Sequence, residues 1–341
     1  MLFIYLLFYV ASATFASMQI AWGIIGCGDV TEVKSGPAFN KVPHSKLVAV
    51  MRRDAAKAAD YARRHGVPRW YSNAQELIAD PEVNAIYIAT PPDSHETYAL
   101  QAIAAGKPVY IEKPVTLDAP SAQRIADAAS ASGVKVSVAH YRRRQPLFQK
   151  VKSLLDQQAI GDVRTVELRF YKPHVPFGES LPWRLDPAIS GGGLFHDLAP
   201  HQLDLMRYFF GPAKEYNGMA TNRGGHYEAD DTVAGQILFG NGVLFNGSWC
   251  FAAYPRTEPN LCTINGSDGI ITFSIFDLEP VRLITAAGTE NFSFAPLQHV
   301  HQPLIEAVVP YFRGEGDNPV PIEEAVEVMQ WMDAFTKKSS A

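Results

Sequence analysis

The sequence predicts an α/β fold in two parts: an N-terminal doubly wound parallel sheet, and a C-terminal α+β domain with a largely antiparallel open sheet. Three observations support this. A glycine-rich turn follows the first apolar run, short Val- and Ile-rich runs alternate with Ala-rich helical patterns, and Asn-Gly turns appear only later. We expect the first domain at 18–141 and the second at 142–341.

Size and composition agree with a folded two-domain protein. The chain has 341 residues, of which 47% are hydrophobic and 19% charged, and this balance argues against disorder. A net charge of −5 gives no reason to expect nucleic acid as a partner. The three cysteines lack the spacing of metal ligands and form no disulfide framework, which favours a reducing, cytoplasmic location.

The segment 1–17 is almost wholly apolar and contains no Lys or Arg. A signal peptide would have a basic region there, and a membrane-spanning helix needs about 20 residues. We therefore expect an upstream extension ahead of a start at Met18, with no membrane association. Export remains the alternative, because small residues near position 17 resemble a cleavage site.

Strands and helices alternate in the first part, which indicates βαβ units and a parallel sheet. Glycines at the ends of three helical patterns suit left-handed C-terminal caps. The predicted strands are 19–25, 46–51, 85–89, 108–111 and 134–138, and the predicted helices are 55–65, 74–79, 95–105 and 121–131.

The pattern changes after about residue 141. Apolar and polar residues alternate at 163–170, as in a half-exposed strand. Two hairpins are predicted around Asn-Gly turns, with strands at 232–239 and 243–250 and at 261–264 and 270–274. A helix at 322–335 closes the chain.

The turn Gly26-Cys27-Gly28 follows the first strand, and Asp29 and Val30 open the next helical segment. Glycines there permit a tight turn and close approach of a pyrophosphate to the backbone, as in the Rossmann dinucleotide-binding motif. Thr31 stands where the motif has a third Gly or Ala. The context still predicts a nucleotide cofactor.

The second strand ends at Arg52-Arg53. An acidic residue at this point binds the ribose of NAD, whereas arginines suit the 2′-phosphate of NADP. We therefore expect NADP(H), with NAD(H) as the alternative. The competing interpretation is two solvated arginines on a loop.

Lys113 stands between Glu112 and Pro114 at the end of an apolar strand. A lysine there points toward the crevice at the carboxyl ends of the strands, where ligands of such sheets bind. We therefore consider a catalytic role for Lys113. The alternative is an ordinary solvent-exposed lysine at a strand end, which is the commoner case for a single lysine.

Asp197 and His201 are spaced i, i+4 after Gly191-Gly192-Gly193 and so share one face of a helix. A histidine near neutrality can exchange a proton with a carbinol, and a neighbouring carboxylate can orient it. We expect Pro200 in the first turn of this helix. Asp197 could instead cap the helix, and a metal site with His196 and Asp204 is a weaker alternative, so we expect no metal.

Together these segments resemble the Gfo/Idh/MocA family of sugar and polyol oxidoreductases, from about Met18 to the C-terminus. The motifs that carry the resemblance are Gly-Ile-Ile-Gly-Cys-Gly (23–28), Ala-Thr-Pro-Pro-Asp-Ser-His (89–95), Glu-Lys-Pro (112–114), Trp-Arg (183–184), Gly-Gly-Gly (191–193) and Asp197-x-x-x-His201-x-x-Asp204. His196 and Ala199-Pro200 depart from the usual pattern.

The resemblance implies a nicotinamide over Lys113, with Asp197 and His201 completing the site and a C-terminal sheet that mediates homo-oligomerisation. By the same resemblance, Arg184 would lie near the nicotinamide or substrate, and Tyr141 and Arg142 would face cofactor or substrate. The residues expected to line the cofactor crevice also include Thr90, Pro91, His95 and Glu112.

The predicted function is therefore hydride transfer between NAD(P) and a hydroxyl or ketone carbon of a sugar, inositol or related polyol. In this reaction His201 exchanges the carbinol proton, Lys113 hydrogen-bonds the same oxygen and Asp197 orients them. Two alternatives are a redox-assisted glycosidase with tightly held NAD and a non-catalytic nucleotide-binding regulator.

Overall fold

The computed structural model describes residues 19–256 and 260–336, which form two β-sheets. The strands of the first sheet are β1 Ile20–Ile25, β2 Ser45–Met51, β3 Arg69–Tyr71, β4 Ala85–Ile88, β5 Val109–Ile111 and β6 Val136–Val138. All are parallel, in the order β3-β2-β1-β4-β5-β6. The order changes direction between β1 and β4, which creates the crevice where ligands of doubly wound sheets bind. The predicted fold class is confirmed.

Helices on both faces connect these strands: α1 Asp29–Val33, α2 Ala55–His65, α3 Ala74–Ala79, α4 His95–Ala104 and α5 Ala119–Ser132. Asp54 and Asp118 cap the N-termini of α2 and α5, since their carboxylates accept hydrogen bonds from backbone N–H groups of the first turn. The predicted glycine caps are present: Gly66 and Gly133 have φ of 64° and 69° and end α2 and α5.

The second sheet has eight strands: β7 Val163–Tyr171, β8 Ala213–Thr221, β9 Thr232–Phe239, β10 Leu244–Cys250, β11 Leu261–Gly266, β12 Gly269–Phe273, β13 Val281–Thr285 and β14 Gly288–Phe292. Their order is β14-β13-β12-β11-β7-β10-β9-β8, and every pair except β7 with β10 is antiparallel. Both predicted hairpins are present. Along β10 buried residues alternate with more exposed ones, as expected for a sheet covered on one face.

The remaining helices are α6 Pro146–Asp156, α7 Pro187–Ser190, α8 Gly193–Phe210, α9 Gln302–Arg313 and α10 Ile322–Phe335. The C-terminal α10 packs against α5 of the first part and against α8 and β8 of the second. Phe335 fits over Gly235 and Gly218, where an added Cβ would approach it to 2.3 and 2.8 Å. Glycines in the sheet thus provide the space that this helix occupies.

Several elements lie outside the predicted ones, namely β3, β8, β13, β14, α6 and α9. β8 (AKEYNGMAT) is an edge strand, mostly exposed, so it lacks the apolar alternation that marks a strand. The extension predicted at 1–17 falls outside the described residues. Among residues 19–256 and 260–336, no helix is both long and apolar enough to cross a membrane.

Candidate active site

Lys113 lies directly after β5, at the carboxyl edge of the parallel sheet. Its Nζ donates hydrogen bonds to Oδ1 of Asp197 at 2.9 Å and to the backbone oxygen of Asp197 at 2.8 Å. The two side chains are 13% and 16% exposed, so the ion pair is shielded from bulk water but reachable. The structure thus brings together these two predicted site residues, which are far apart in the chain.

Asp197 lies one turn inside α8, whose N-cap is Gly192. The alternative in which Asp197 caps this helix is therefore wrong. The expectation that Pro200 lies in the first turn is also wrong, because the helix already begins at Gly193 and Pro200 lies in its interior. A proline there cannot donate a backbone hydrogen bond to the carbonyl of His196.

The carboxylate of Asp197 is held between two cations. Arg184 Nε lies 3.3 Å from Oδ2, and its guanidinium stacks 4.4 Å from the centre of the Trp183 ring. Burial by itself would raise the pKa of Asp197, but the charge and hydrogen bond of Lys113, aided by Arg184, outweigh it and lower this pKa. Asp197 is therefore ionised and fixes the position of the Lys113 ammonium.

His201 follows on the same helix and is 4% exposed. Its ring lies edge-on to Tyr141 and Phe276, at centroid distances of 5.0 and 5.8 Å. Within the described part of the chain, its Nδ1 is buried and has no hydrogen-bond partner. Burial, followed by the positive charge of Lys113, lowers the pKa of His201 well below its usual value. The imidazole is thus neutral at pH 7, the form that accepts a proton.

Tyr141 connects this histidine with a second one. Its ring also lies 4.1 Å from the ring of His301, and the Tyr141 side chain is itself buried, at 8% exposure. Arg142, next in sequence, places its guanidinium 4.6 Å from the centre of the Phe276 ring. Tyr141 therefore lies beside His201, and Arg142 lies beside Phe276, with aromatic rings forming one side of the site. That the two residues face cofactor or substrate stays a prediction.

Glu112 lies behind Lys113 rather than in the crevice. Its carboxylate accepts a hydrogen bond from Tyr87 Oη at 2.5 Å and lies 3.5 Å from Nε2 of His301. With 5% exposure, Glu112 is buried rather than lining the crevice, contrary to expectation, because its carboxylate lies against Tyr87 and His301. Burial raises the pKa of Glu112 to about 7.

The glycine turn has the form that a dinucleotide requires. Gly26 has φ of +95°, and a Cβ there would lie 2.7 Å from Thr90, so only glycine fits. Gly28 has an ordinary φ of −123°, and the nearest atom to its Cβ would be the Gly26 oxygen at 4.0 Å. The space in front of Gly28 is therefore open to a phosphate group. Thr31 is buried and donates to the Gly28 oxygen at 2.8 Å, which closes the turn without a third glycine.

Other predicted crevice residues divide into two groups. Asp29, Val30, Thr90 and Pro91 are exposed or partly exposed at the carboxyl ends of β1 and β4. His95 is fully buried instead: Nε2 lies 2.7 Å from the Thr90 oxygen and Nδ1 3.0 Å from the Pro114 oxygen. The expected lining of the crevice by His95 is thus corrected, since the side chain joins two loops behind it.

Arg52 and Arg53 lie at the carboxyl end of β2, next to the glycine turn. Arg52 Nη1 donates to the backbone oxygen of Cys27 at 3.2 Å, which directs the side chain toward the turn. Arg53 is exposed. Two guanidinium groups are therefore available beside the cradle, only one of them anchored.

The metal alternative has no support in the geometry. Asp204 is bound by the guanidinium of Arg143, with Nη2 to Oδ1 at 2.7 Å, and Nδ1 of His196 lies 3.3 Å from the Gly192 oxygen. Across 19–256 and 260–336, no three His, Cys, Asp or Glu side chains are grouped to hold an ion.

Two residues at the site, Phe276 and His301, were not predicted. Phe276 lies in the segment after β12, and His301 lies directly before α9. Each stands in a stretch without a recognisable motif, and only the packing of the two parts of the chain brings His301 to Tyr141 and Phe276 to Arg142 and His201. Sequence spacing contains no signal for such contacts.

Comparison with known proteins identifies the family. Residues 20–140 match the model described as an oxidoreductase family with an NAD-binding Rossmann fold, and residues 148–272 match the C-terminal domain model of the same family. The chain is 45% identical to oxidoreductase P35 of Formosa agariphila over 93% of its length and 98% of that protein. It is 30% identical to trans-1,2-dihydrobenzene-1,2-diol dehydrogenase of Oryctolagus cuniculus, over 81% of this chain and 80% of that one.

Among solved structures, levoglucosan dehydrogenase in complex with NADH superposes with a TM-score of 0.85. The match covers 93% of this chain and 96% of the other at 22% identity, and so supports the fold. The predicted fold, oxidoreductase class and family are confirmed: the chain belongs to the Gfo/Idh/MocA family of NAD-binding oxidoreductases.

Proposed function

We propose that this protein transfers hydride between a nicotinamide cofactor and a carbinol or carbonyl carbon of a small polyol, such as a sugar, an inositol or a related diol. The observation that carries the proposal is the buried Lys113–Asp197 pair close to a neutral His201. The dihydrodiol dehydrogenase relative, named for an oxidation at CH–OH, supports the same reaction class.

In the oxidative direction the substrate loses a hydride from carbon and a proton from oxygen. A bound nicotinamide would supply the acceptor of this hydride. His201 accepts the proton, because its imidazole is kept neutral by burial and by nearby positive charge. Lys113 donates a hydrogen bond to the same oxygen and stabilises the negative charge that develops on it. Reduction reverses both transfers.

Asp197 and Arg184 position these groups. Asp197 binds Lys113 through both a carboxylate and a backbone oxygen, so the ammonium cannot turn away from the crevice. Arg184 is 47% exposed, and its free face is available to substrate or nicotinamide. A preorganised donor of this kind lowers the cost of charge development during reaction.

The cofactor is proposed to lie along Gly26, Gly28, Asp29 and Val30, with Thr90 and Pro91 beside it. Arg52 and Arg53 favour NADP(H) over NAD(H), because a guanidinium beside the turn suits a 2′-phosphate. The bond from Arg52 to Cys27 supports this choice, since it holds one cation at the edge of the cradle.

We also propose a homo-oligomer formed through the open face and edge of the second sheet. Leu244 and Leu261, on neighbouring parts of this sheet, are 39% and 41% exposed, and Met219 on the edge strand is 67% exposed. These residues support the proposal only if they belong to one contiguous apolar patch, since single exposed apolar residues are common on protein surfaces. Light scattering in solution tests this proposal, and a strictly monomeric mass would reject it.

A cytoplasmic location is a further proposal. Cys27, Cys250 and Cys262 are all free thiols, as in proteins of reducing compartments. Fractionation of cells that express the whole chain would test it, and recovery of the protein outside the cytoplasm would contradict it.

Lys113→Met provides the decisive test of the reaction. Methionine keeps the length of the side chain but removes the ammonium, so turnover on any accepted polyol should fall by about a thousandfold or more. NADPH binding, followed by fluorescence, should remain. The exposed Lys46 supplies the control variant Lys46→Met.

A Lys113→Met variant that keeps full activity would refute the proposed role. Release of an aglycone without net cofactor change would point to a redox-assisted glycosidase. Cofactor binding without turnover on any polyol or keto-sugar would point to a regulator.

A further inference from the structure

Two consecutive arginines of the 3₁₀ helix Tyr141–Arg144 have opposite electrostatic surroundings. Arg143 binds Asp204 through Nε and Nη2, at 2.7 to 3.0 Å, and Glu324 through Nη1. Arg142 donates one hydrogen bond, from Nη1 to the backbone oxygen of Ile275. Among the described residues, none of the ion pairs within 4.0 Å includes Arg142.

The surroundings of Arg142 are aromatic rather than acidic. Its guanidinium carbon lies 5.7, 5.8 and 4.6 Å from the ring centres of Tyr141, Phe148 and Phe276. Its Nε is buried without an acceptor in the described part of the chain. Stacking on rings supports the plane of a guanidinium but leaves its hydrogen-bond donors unsatisfied. A partly buried cation without a carboxylate partner is costly, unless a ligand supplies the anion.

Arg142 lies beside the proposed reaction centre. Phe276, which stacks with Arg142, is also edge-on to His201 at 5.8 Å. The charge of Arg142 contributes to the low pKa of His201, after burial and Lys113. A group bound to Arg142 would therefore lie close to the carbinol that faces His201.

Positive side chains outnumber carboxylates around this position, because Glu112, which acts on Lys113 and Lys34, has a pKa raised to about 7 by burial and so is only partly ionised at neutral pH. Lys113 and Arg184 share the single carboxylate of Asp197. Lys34 adds a further positive charge that acts on Asp197, and Asp277 acts on Arg142 from beyond ion-pair distance. A neutral polyol would leave this excess of positive charge uncompensated, whereas an acid would compensate it.

We infer that the substrate is a hydroxy acid, such as a uronic or aldonic acid, whose carboxylate binds Arg142 while a nearby carbinol faces His201 and Lys113. The inference rests on the proposed function and narrows its substrate class. A carboxylate matches the planar fork of a guanidinium, which binds it through two parallel hydrogen bonds. The carboxylate stays intact, and oxidation occurs at the carbinol.

A binding experiment tests the inference without requiring turnover. The full chain saturated with NADPH is titrated calorimetrically with D-glucuronate, D-galacturonate and D-gluconate, and with D-glucose, D-galactose and D-glucose 6-phosphate. At least one sugar acid should bind about tenfold or more tightly than its neutral counterpart. Equal or weaker binding of all the acids, or preferred binding of the phosphate ester, would overturn the inference.

Variants assign the preference to one side chain. In Arg142→Gln the ratio of affinities for acid over neutral sugar should fall by about tenfold or more, and Arg142→Lys should recover part of it, because lysine keeps the charge but lacks the fork. Arg144→Gln, at an exposed neighbour, should leave the ratio unchanged. Equal losses for acids, neutral sugars and NADPH would instead make Arg142 a cofactor ligand and overturn the inference.

The proposed hydride transfer and the inferred acidic substrate can be rejected independently of each other. If neutral polyols are oxidised and acids are not preferred, the inference fails while the proposed reaction stands. If acids bind through Arg142 but no carbinol is oxidised in any of them, the subsite stands while the proposed reaction fails.

Discussion

The two ends of the cofactor crevice are organised to different degrees. At the nicotinamide end, Lys113 and Asp197 are joined by two hydrogen bonds of 2.8 and 2.9 Å, and both side chains are largely shielded. At the adenosine end, Arg52 makes one hydrogen bond of 3.2 Å to a backbone oxygen, and Arg53 is exposed. The folded chain therefore holds the proposed catalytic groups in place before a ligand binds, whereas the arginines proposed to select the cofactor are less constrained. The reaction class can consequently be inferred with fewer assumptions than the choice of cofactor.

The largest effect is expected from the organised end. His201→Asn removes the proposed proton acceptor, so kcat should fall by about 10²–10⁴-fold while NADPH binding is kept. Steady-state kinetics with a matched fluorescence titration measures both. His44→Asn is a suitable control, because His44 is an exposed histidine with a positive φ of 59°, which asparagine tolerates.

The same histidine predicts a pH profile. Because burial and Lys113 lower the pKa of His201 well below 6.5, the base stays neutral, and oxidation should not lose rate to its protonation between pH 8 and 6.5. A fall in kcat/KM centred near pH 6.5, absent from His201→Asn, would contradict this interpretation.

The loosely organised end should show a smaller and more selective effect. Replacing Arg52 and Arg53 together by Gln should weaken NADPH binding by about tenfold to a hundredfold, because the 2′-phosphate loses its charge-assisted bonds. NADH binding should change by no more than about threefold. Arg63→Gln, at an exposed residue paired with Asp60, is the control.

Replacing Arg52 alone distinguishes a role in cofactor selection from a role in supporting the glycine turn. If Arg52→Gln weakens NADPH and NADH equally, Arg52 supports the turn through Cys27 rather than selecting the cofactor. Tighter binding of NADH than of NADPH by the unmodified protein would reject the NADP(H) preference outright.

The smallest expected effect is on the pH dependence of the free energy of unfolding, through the buried residues His140 and Glu112. Burial lowers the pKa of His140 to about 4, so the unfolded chain takes up a proton near pH 6.5 that the folded chain refuses. Stability is therefore lost as pH falls from 6.5 toward 4, by an amount on the order of 1–3 kcal/mol. Glu112 has the opposite sign, since its pKa rises from 4.5 to about 7 in the folded state. Its contribution grows as pH falls from 7 to 4.5.

Glu112→Gln separates the two contributions. The variant loses the opposing proton uptake, so its free energy of unfolding should decline more steeply with acid than that of the unmodified protein. Its relative stability should be most favourable at pH 8, where the buried carboxylate is ionised at a cost. Denaturant unfolding from pH 8 to 5 measures this, and parallel curves for the two proteins would exclude the assignment.

Motifs with a local mechanism were predictable from the sequence. The strand–turn–helix around Gly26 and Gly28, the strand-end Lys113 and the helical spacing of Asp197 and His201 depend on neighbours in the chain. The direction in which a side chain points at the end of an element does not follow from its neighbours in the chain. Glu112, just after β5, and His95, at the start of α4, were therefore expected in the crevice but are buried behind it. Phe276 reaches His201, and His301 reaches Tyr141, only through packing between distant segments. Edge strands such as β8 lack the alternation that makes an inner strand recognisable.

The return of α10 to the first part of the chain has a consequence for synthesis. The helix packs on α5, and just before it the Val320 oxygen accepts a hydrogen bond from the backbone N–H of Val138, the last residue of β6. A ribosome makes residues 119–138 nearly two hundred residues before these partners. During that interval one surface of the nucleotide-binding sheet stays uncovered, so the first domain emerges incomplete and is exposed to association with other nascent chains. Its final compaction must therefore wait until the last helix has been translated.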